Sequence, residues 1–167
     1  MEVSYIISQI FVIIQYLFFV LTYHTKTKKQ ILIFNTIACA SSALSFMLLS
    51  AYSGCVMSLL AVLRNYLFYK QYEKKDINSL IIVLVILAFL SIITYDGILS
   101  LMPSIGTLLY TISVWQSNRK VYRMFGILIE ISWLIYHIYV FSIFGIILET
   151  ILFIAVVIGI IKEFNNE

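Results

Sequence analysis

The residues best suited to chemistry lie in one apolar run near the C-terminal end of the chain. Arg123, Glu130 and His137 recur every seven residues there, with Trp133 between them. This spacing places them on one face of a helix. Ionisable groups inside an apolar helix usually face a bundle interior or a wet cavity. A carboxyl and an imidazole on such a face can bind polar groups and exchange protons, and Glu149 in the next run adds a second carboxyl.

Two interpretations of these buried polar groups stay open at this stage. Glu130, His137 and Glu149 either line a water-accessible path, or they are hydrogen-bonding contacts that hold neighbouring helices together. The sequence carries no glycine-rich phosphate loop, no HExxH and no CxxC. Cys39 and Cys55 lack metal-type spacing, so we interpret them as small packing residues. We therefore expect no enzyme, no metal and no cofactor.

The composition identifies the kind of element that must position these groups. Of the 167 residues, 62% are hydrophobic and 11% are charged, and the mean hydropathy is +1.03. Soluble domains are about half apolar and about a quarter charged. These values exclude an ordinary globular protein, a disordered chain and a nucleic-acid binder. They indicate an all-α membrane protein that forms a single domain over residues 1–167.

Polar punctuation divides the chain into seven apolar runs, each of about the length that one membrane crossing needs. The predicted spans are 4–23, 31–52, 54–70, 78–95, 97–115, 121–142 and 144–162. The basic residues of the connectors, with Arg64 inside the same end of the third span, all fall on one side. The positive-inside rule then predicts an N-terminus outside and a C-terminus in the cytoplasm.

The chain also matches itself at an offset of 91 residues. The basic pair Lys28-Lys29 coincides with Arg119-Lys120, and Gly54 coincides with Gly145. Residues 4–70 and 97–162 are therefore predicted to be two copies of a three-helix unit. Span 78–95 is the linker that lets both copies cross the membrane in the same sense, which gives parallel repeats in a 3+1+3 order.

The repeat predicts a polar path along the axis that the two copies share. Shifted back by 91 residues, the polar face of span six falls on a small and polar face of span two. Span three adds one stripe of small and polar residues, which could equally be close helix packing, namely Gly54, Ser58, Ala61 and Asn65. The predicted path comprises Gln9, Tyr16, Asn35, Ser42, Ser100, Thr107, Glu130, Trp133, His137 and Glu149. Candidates for a cytoplasmic gate are Arg64, Asn65 and Arg123, although we expect Arg64 to extend its charged end to the headgroups.

Pro103 is the single proline, and the sequence places it inside span five. A proline in a helix interior removes one backbone hydrogen bond and clashes with the preceding turn. It therefore predicts either a static kink or a hinge that lets span five rock, with Gly106 one turn later easing the motion.

Several of these residues carry a family resemblance. MPSIGTLLYTISVW, WLIYHIYVFSIFGIILE, Gln9, the KKQ at 28–30 and Arg64 together resemble the YgjV-type bacterial inner-membrane proteins, over essentially the whole chain. The most specific pieces are PSIGT at 103–107 and the ordered set Trp133, His137, Gly145 and Glu149. The 3+1+3 order is similar to that of the PQ-loop, SWEET and MtN3 transporters, in which two three-helix units enclose a substrate path. That likeness concerns the fold alone.

The resemblance implies the bacterial cytoplasmic membrane and, by analogy of fold, a facilitator or secondary transporter. Its partners would be the lipid bilayer and a small polar solute that the sequence does not name, while a homo-oligomer stays open. The alternative is a membrane interaction or regulatory subunit. A transporter should turn its polar faces inward within one chain, whereas a subunit that binds a partner should expose at least one of them.

The orientation is testable by cysteine-accessibility labelling. Cysteines placed at Lys28 and at Arg119 should react only from the cytoplasmic side, because all the basic residues lie on that side. Reaction of either position with an impermeant reagent from outside would overturn both the orientation and the number of spans.

Overall fold

The computed structural model describes residues 2–24, 28–70, 77–115 and 119–165. Within these ranges all the regular structure is helical, as the apolar runs predicted. The α-helices are α1 (Glu2–His24), α2 (Lys28–Leu48), α3 (Tyr52–Lys70), α4 (Ile77–Ile93), α5 (Met102–Trp115), α6 (Arg119–Tyr139) and α7 (Ile143–Asn165), and a 3₁₀ turn at Ile98–Leu101 precedes α5.

Three stretches are long and apolar enough to cross a membrane by length and composition, namely Glu2–Thr22, Lys29–Leu48 and Ile98–Trp115. Shorter apolar helices cover Ile77–Ile93, Met124–Tyr139 and Ile143–Ile158.

The helices pack in a closed circuit. α2 lies between α1 and α3, and α6 lies between α5 and α7. The circuit closes where α3 packs on α5 and where α1 packs on α7, while α4 packs against α3 and α5. α2 and α6 meet through aromatic rings, because the Phe46 ring contacts those of Trp133, Tyr136 and His137.

The distribution of side chains is the reverse of that in a soluble protein. Among the described residues, buried polar or charged side chains outnumber buried hydrophobic ones. Large apolar side chains cover the outside, and Ile92 on α4 is 77% exposed. The hydrocarbon core of a membrane explains this pattern, because polar groups in the bundle have no water to bind and must find partners inside it.

The helices α2 and α6 end in turns that share one hydrogen-bond pattern. In the first turn, the Ala51 N–H donates to the Phe46 carbonyl at 2.9 Å, and the Ser50 N–H donates to Met47 at 3.1 Å. The same two bonds recur 91 residues later, where Ser142 donates to His137 at 3.0 Å and Phe141 donates to Ile138 at 3.2 Å. Both turns are Schellman caps.

Each of the two caps places a residue other than glycine in the left-handed region. Ser50 has φ 55° and Phe141 has φ 53°. This backbone conformation is uncommon for residues other than Gly, Asn and Asp. The turn geometry thus outweighs the local preference of both residues.

Pro103 lies inside the apolar stretch Ile98–Trp115, where the sequence placed it. It is the second residue of α5, directly after the 3₁₀ turn. At this junction the Met102 N–H donates to the Leu99 carbonyl, and Pro103, the next residue, has no N–H with which to continue the series. The change from 3₁₀ to α geometry therefore coincides with the proline, and the choice between a static kink and a hinge stays a prediction.

Two glycines allow α6 to approach its neighbours closely. A Cβ at Gly145 would overlap the His137 ring, and a Cβ at Gly54 would overlap the Tyr136 ring and lie 2.9 Å from Phe46 Cγ. Both neighbours are buried rings that have no room to withdraw. Gly126 is different, because its Cβ would lie 3.2 Å from the end of the Val156 side chain.

This difference predicts a graded effect of alanine on stability. Gly145→Ala should lower the free energy of unfolding by about 1–3 kcal/mol, the usual result of overpacking. Gly126→Ala should be close to neutral, because two effects oppose each other. Alanine favours the helix by up to about 1 kcal/mol over glycine, and the new Cβ crowds the end of the Val156 side chain. Thermal unfolding of both variants in detergent measures the difference, and equal midpoints would contradict it.

Candidate functional site

The structure places most of the predicted site residues in three clusters. We call them the carboxyl cluster, the amide–arginine cluster and the aromatic layer. Their members are Tyr16, Glu130 and Glu149; Asn35, Arg64, Asn65 and Tyr110; and Phe46, Trp133, Tyr136 and His137, respectively.

The carboxyl cluster joins α1, α6 and α7. The Tyr16 hydroxyl donates a hydrogen bond to Glu149 Oε2, and both side chains are 4% exposed. The Glu130 carboxyl group, on α6, lies close enough to that of Glu149 to interact with it. Two carboxyl groups hydrogen-bond to each other only when one of them carries a proton. The arrangement can therefore hold one proton between two acids and a phenol.

His137 lies apart from this cluster, although the sequence grouped the three titratable residues together. Its ring is 1% exposed, with its centroid 5.3 Å from that of Phe46, and it packs on Gly145. Its Nδ1 is buried and has no hydrogen-bond partner within the described chain. In the part that the structure describes, His137 belongs to the aromatic layer.

The amide–arginine cluster joins α2, α3 and α5. Arg64 donates from Nε and Nη2 to Asn65 Oδ1, at 3.2 and 2.9 Å. Asn65 Nδ2 donates to Asn35 Oδ1 at 2.6 Å, and Asn35 Nδ2 donates to the Tyr110 hydroxyl at 3.1 Å. The Arg64 guanidinium lies over the Tyr110 ring, 4.5 Å from its centroid. This closed loop of contacts orients every member.

Arg64 corrects one expectation from the sequence. We expected its charged end to extend to the headgroups, but the residue is 2% exposed and its guanidinium is held inside the bundle. Interhelical hydrogen bonds and the Tyr110 ring hold it there in place of water. Arg123, the other predicted basic gate residue, has its side chain outside the described part of the structure.

Tyr136 of the aromatic layer lines an open cleft at the end of the bundle opposite the basic connectors. The Tyr136 hydroxyl is 2.8 Å from Ser53 Oγ and accepts a hydrogen bond from the Gly54 N–H at 2.9 Å. The ring of Phe46 stacks on that of Trp133 with centroids 5.9 Å apart. The cleft above Tyr136 has a volume of about 670 Å³.

The cleft carries aromatic and polar groups in similar measure. Its polar and aromatic lining includes Ser50, Tyr52, Ser53, Tyr95, Asp96, Ser100, Tyr136, Tyr139 and Phe141.

Other predicted path residues have partners in the structure that explain their burial. Gln9 accepts a hydrogen bond from the Phe144 N–H at 3.0 Å, which ties α1 to the start of α7. Ser100 accepts from the Asp96 N–H at 2.8 Å and so shapes the turn before α5. The Ser42 and Ser58 hydroxyls are 3.1 Å apart and link α2 to α3. The Thr107 hydroxyl is buried without a partner among the described residues.

Three members of the clusters, Phe46, Tyr110 and Tyr136, are not among the predicted site residues, and for the two tyrosines the sequence held a signal. Tyr110 follows Thr107 by one helical turn, and Tyr136 follows Trp133 by one turn, so the helical period was the signal for both. Tyrosines are common at membrane interfaces, and that expectation concealed their positions inside the bundle. A Cβ at Gly106 would lie 2.8 Å from Trp133 Nε1, so this glycine provides room for the indole. Its role in a hinge stays a prediction.

The chain belongs to the YgjV family of bacterial inner membrane proteins. The family model Imp-YgjV, described as "Bacterial inner membrane protein", matches residues 6–167. The family that the sequence motifs predicted is therefore confirmed, and with it a membrane protein of the bacterial inner membrane in contact with the lipid bilayer. No curated protein and no solved structure matches the chain.

The hydrogen bond between Tyr16 and Glu149 predicts a measurable contribution to stability. Tyr16→Phe leaves a buried carboxyl oxygen without this donor and should lower the free energy of unfolding by about 1–3 kcal/mol. Tyr139→Phe is the matched control, since Tyr139 is 40% exposed, and it should change stability by less than about 0.5 kcal/mol. Thermal unfolding in one detergent compares the two. A smaller loss for Tyr16→Phe than for Tyr139→Phe would contradict the assignment.

Proposed function

We propose that the chain is a small facilitator or secondary transporter, which moves a small polar solute between two parallel three-helix units. The units are α1–α3 and α5–α7, and α4 links them. The observation that carries the proposal is the polar interior of a bundle with an apolar exterior. Asn35, Arg64, Asn65 and Thr107 lie at the junction of the two units, where a transporter needs polar groups.

The parallel repeat is supported by local geometry at the offset of 91 residues. The two Schellman caps coincide under this offset, as do their left-handed residues Ser50 and Phe141. The packing of α3 on α5 and that of α1 on α7 are equivalent under the same pairing. Asn35 and Asn65, which bond to each other, correspond to Gly126 and Val156, which also pack together.

The proposed path is closed by two barriers, one towards each end of the bundle. On one side the open cleft ends at the hydrogen-bonded Tyr136 and the Phe46–Trp133 stack. Towards the basic connectors, the amide–arginine cluster bridges α2, α3 and α5. In the proposed cycle, rocking of the units breaks one of these barriers while the other stays closed.

The carboxyl cluster is the proposed site of proton coupling. In this proposal Glu130 of α6 and Glu149 of α7 share a proton beside the contact between α1 and α7, one of the two places where the units meet. Release of that proton would leave two neighbouring negative charges, one of them on the buried Glu149, and like charges repel strongly in a medium of low dielectric constant. The protonation state of the pair thereby affects how the two units pack.

Seven crossings, with the N-terminus outside, complete the proposal. They place the cleft on the outside and the amide–arginine cluster towards the cytoplasm. A subunit that binds a partner would need a polar face on the outside of the bundle, whereas Asn35, His137 and Glu149 are all buried within this one chain. Transport therefore accounts for the polar residues better than partner binding does.

A thermal-shift screen followed by proteoliposome uptake tests the function. Sugars, amino acids, nucleosides and vitamins are screened first, because a ligand that binds only the folded protein raises its stability. Glu130→Gln keeps the size of the side chain but removes the exchangeable acid. It should abolish uptake of the identified solute, or uncouple it from a pH gradient, while the protein stays folded.

Glu2→Gln serves as the matched control, because Glu2 lies exposed in the first turn of α1 and its change should leave uptake unaltered. Full coupled uptake by Glu130→Gln would show that the carboxyl cluster is structural. Failure of every solute in the panel to shift the wild-type protein, together with the absence of uptake, would overturn the transport proposal itself.

A further inference from the structure

Arg64 places a buried positive charge at the contact between α3 and α5, with no acidic partner among the residues that the structure describes. Arg64 is 2% exposed, and no carboxylate within the described ranges lies in ion-pair contact with it. Arginine keeps its charge inside proteins. A buried charge is costly unless an opposite charge or a full set of hydrogen bonds compensates it.

The hydrogen bonds of Arg64 leave part of the guanidinium unused. Nε and Nη2 both donate to one acceptor, Asn65 Oδ1. Nη1 makes no hydrogen bond to any residue that the structure describes. A guanidinium presents five N–H donors in a planar fork that matches the oxygens of carboxylates and phosphates. Arg64 is thus held in a fixed orientation, but no opposite charge among the described residues neutralises it.

The neighbouring side chains fix the orientation of the guanidinium and leave its Nη1 group unused. The carbonyl of Asn65 faces Arg64, and its amide group is committed to Asn35. The Tyr110 ring covers one face of the guanidinium. Rigid support of this kind lowers the entropy lost when a ligand binds.

Arg64 lies in the second half of α3, towards the basic end of the bundle. It is six residues before Lys70, the last residue of α3, which is about 9 Å along the helix. Its contacts come from Asn65 of α3 and Tyr110 of α5, so it lies at the junction of the two proposed units.

We propose that Arg64, held by Asn65 and Tyr110, binds an oxyanion, either the carboxylate or phosphate of a small solute or the phosphate of a lipid headgroup. The inference deepens the proposed function and rests on it in taking a solute anion to be part of the transported molecule. Binding itself is independent of transport. A protein that binds the anion but moves no solute would contradict the proposed function and leave the site intact.

The test uses the full chain in nanodiscs of phosphatidylcholine. Acetate, succinate and inorganic phosphate are titrated at constant ionic strength, with glucose and chloride as controls, while thermal unfolding is followed. At least one oxyanion should raise the midpoint of the wild type by about 3 °C near saturation. The shift should vanish in Arg64→Gln and persist in Lys70→Gln, which removes an exposed charge from the same helix.

A second set of nanodiscs separates the two sources of the anion. If no soluble oxyanion shifts the wild type, replacing part of the lipid with phosphatidylglycerol should raise the midpoint of the wild type but not that of Arg64→Gln, and the ligand is then a headgroup. Should Arg64→Gln fail to fold, Arg64→Lys keeps the charge but not the fork and should weaken affinity about tenfold. The inference is overturned if neither soluble anions nor phosphatidylglycerol shift the wild type, or if the Arg64 variants respond as the wild type does.

Discussion

The hydrocarbon surround supplies no water, so every polar group in the bundle must find its partner within the chain. The hydrogen bonds that meet this requirement are also the ones that join the helices. Asn65 to Asn35 joins α3 to α2, Tyr16 to Glu149 joins α1 to α7, and the Tyr136 hydroxyl joins α6 to the start of α3. Such contacts specify register in a way that apolar packing alone cannot, because lipid tails solvate a leucine as well as another helix does.

Close approach of the helices is the second consequence. The rings of His137 and Tyr136 need Gly145 and Gly54 opposite them, and the indole of Trp133 needs Gly106. Gly54, Gly106 and Gly145 lie on α3, α5 and α7, so each of these helices makes room for a ring of α6. The aromatic layer therefore packs α6 closely against all three helices.

The two contacts that close the circuit carry opposite chemistry. Where α1 meets α7 there are two carboxyl groups and a phenol, and where α3 meets α5 there is an arginine over a tyrosine ring. In the proposed repeat these contacts are equivalent in position. Under the two proposals, the contact between α1 and α7 exchanges a proton and the contact between α3 and α5 binds an anion. A single movement of the units would then act on both.

The amino-acid sequence by itself determined the class of protein, the helical content and the family. These properties follow from composition, from the period of the helix and from short motifs, all of which are local. The offset of 91 residues likewise reflects a local pattern, and the two caps at residues 50 and 141 share their hydrogen bonds at that offset.

The tertiary structure decided which polar residues meet. Glu130 and His137 share a helix face by spacing, yet Glu130 contacts Glu149 while His137 packs on Gly145, because different neighbours lie beside successive turns of α6. Pro103 begins a helix because a 3₁₀ turn precedes it, and Arg64 stays inside because Asn65 and Tyr110 hold it. Partners of this kind depend on the rotation and separation of whole helices, which no spacing within one helix specifies.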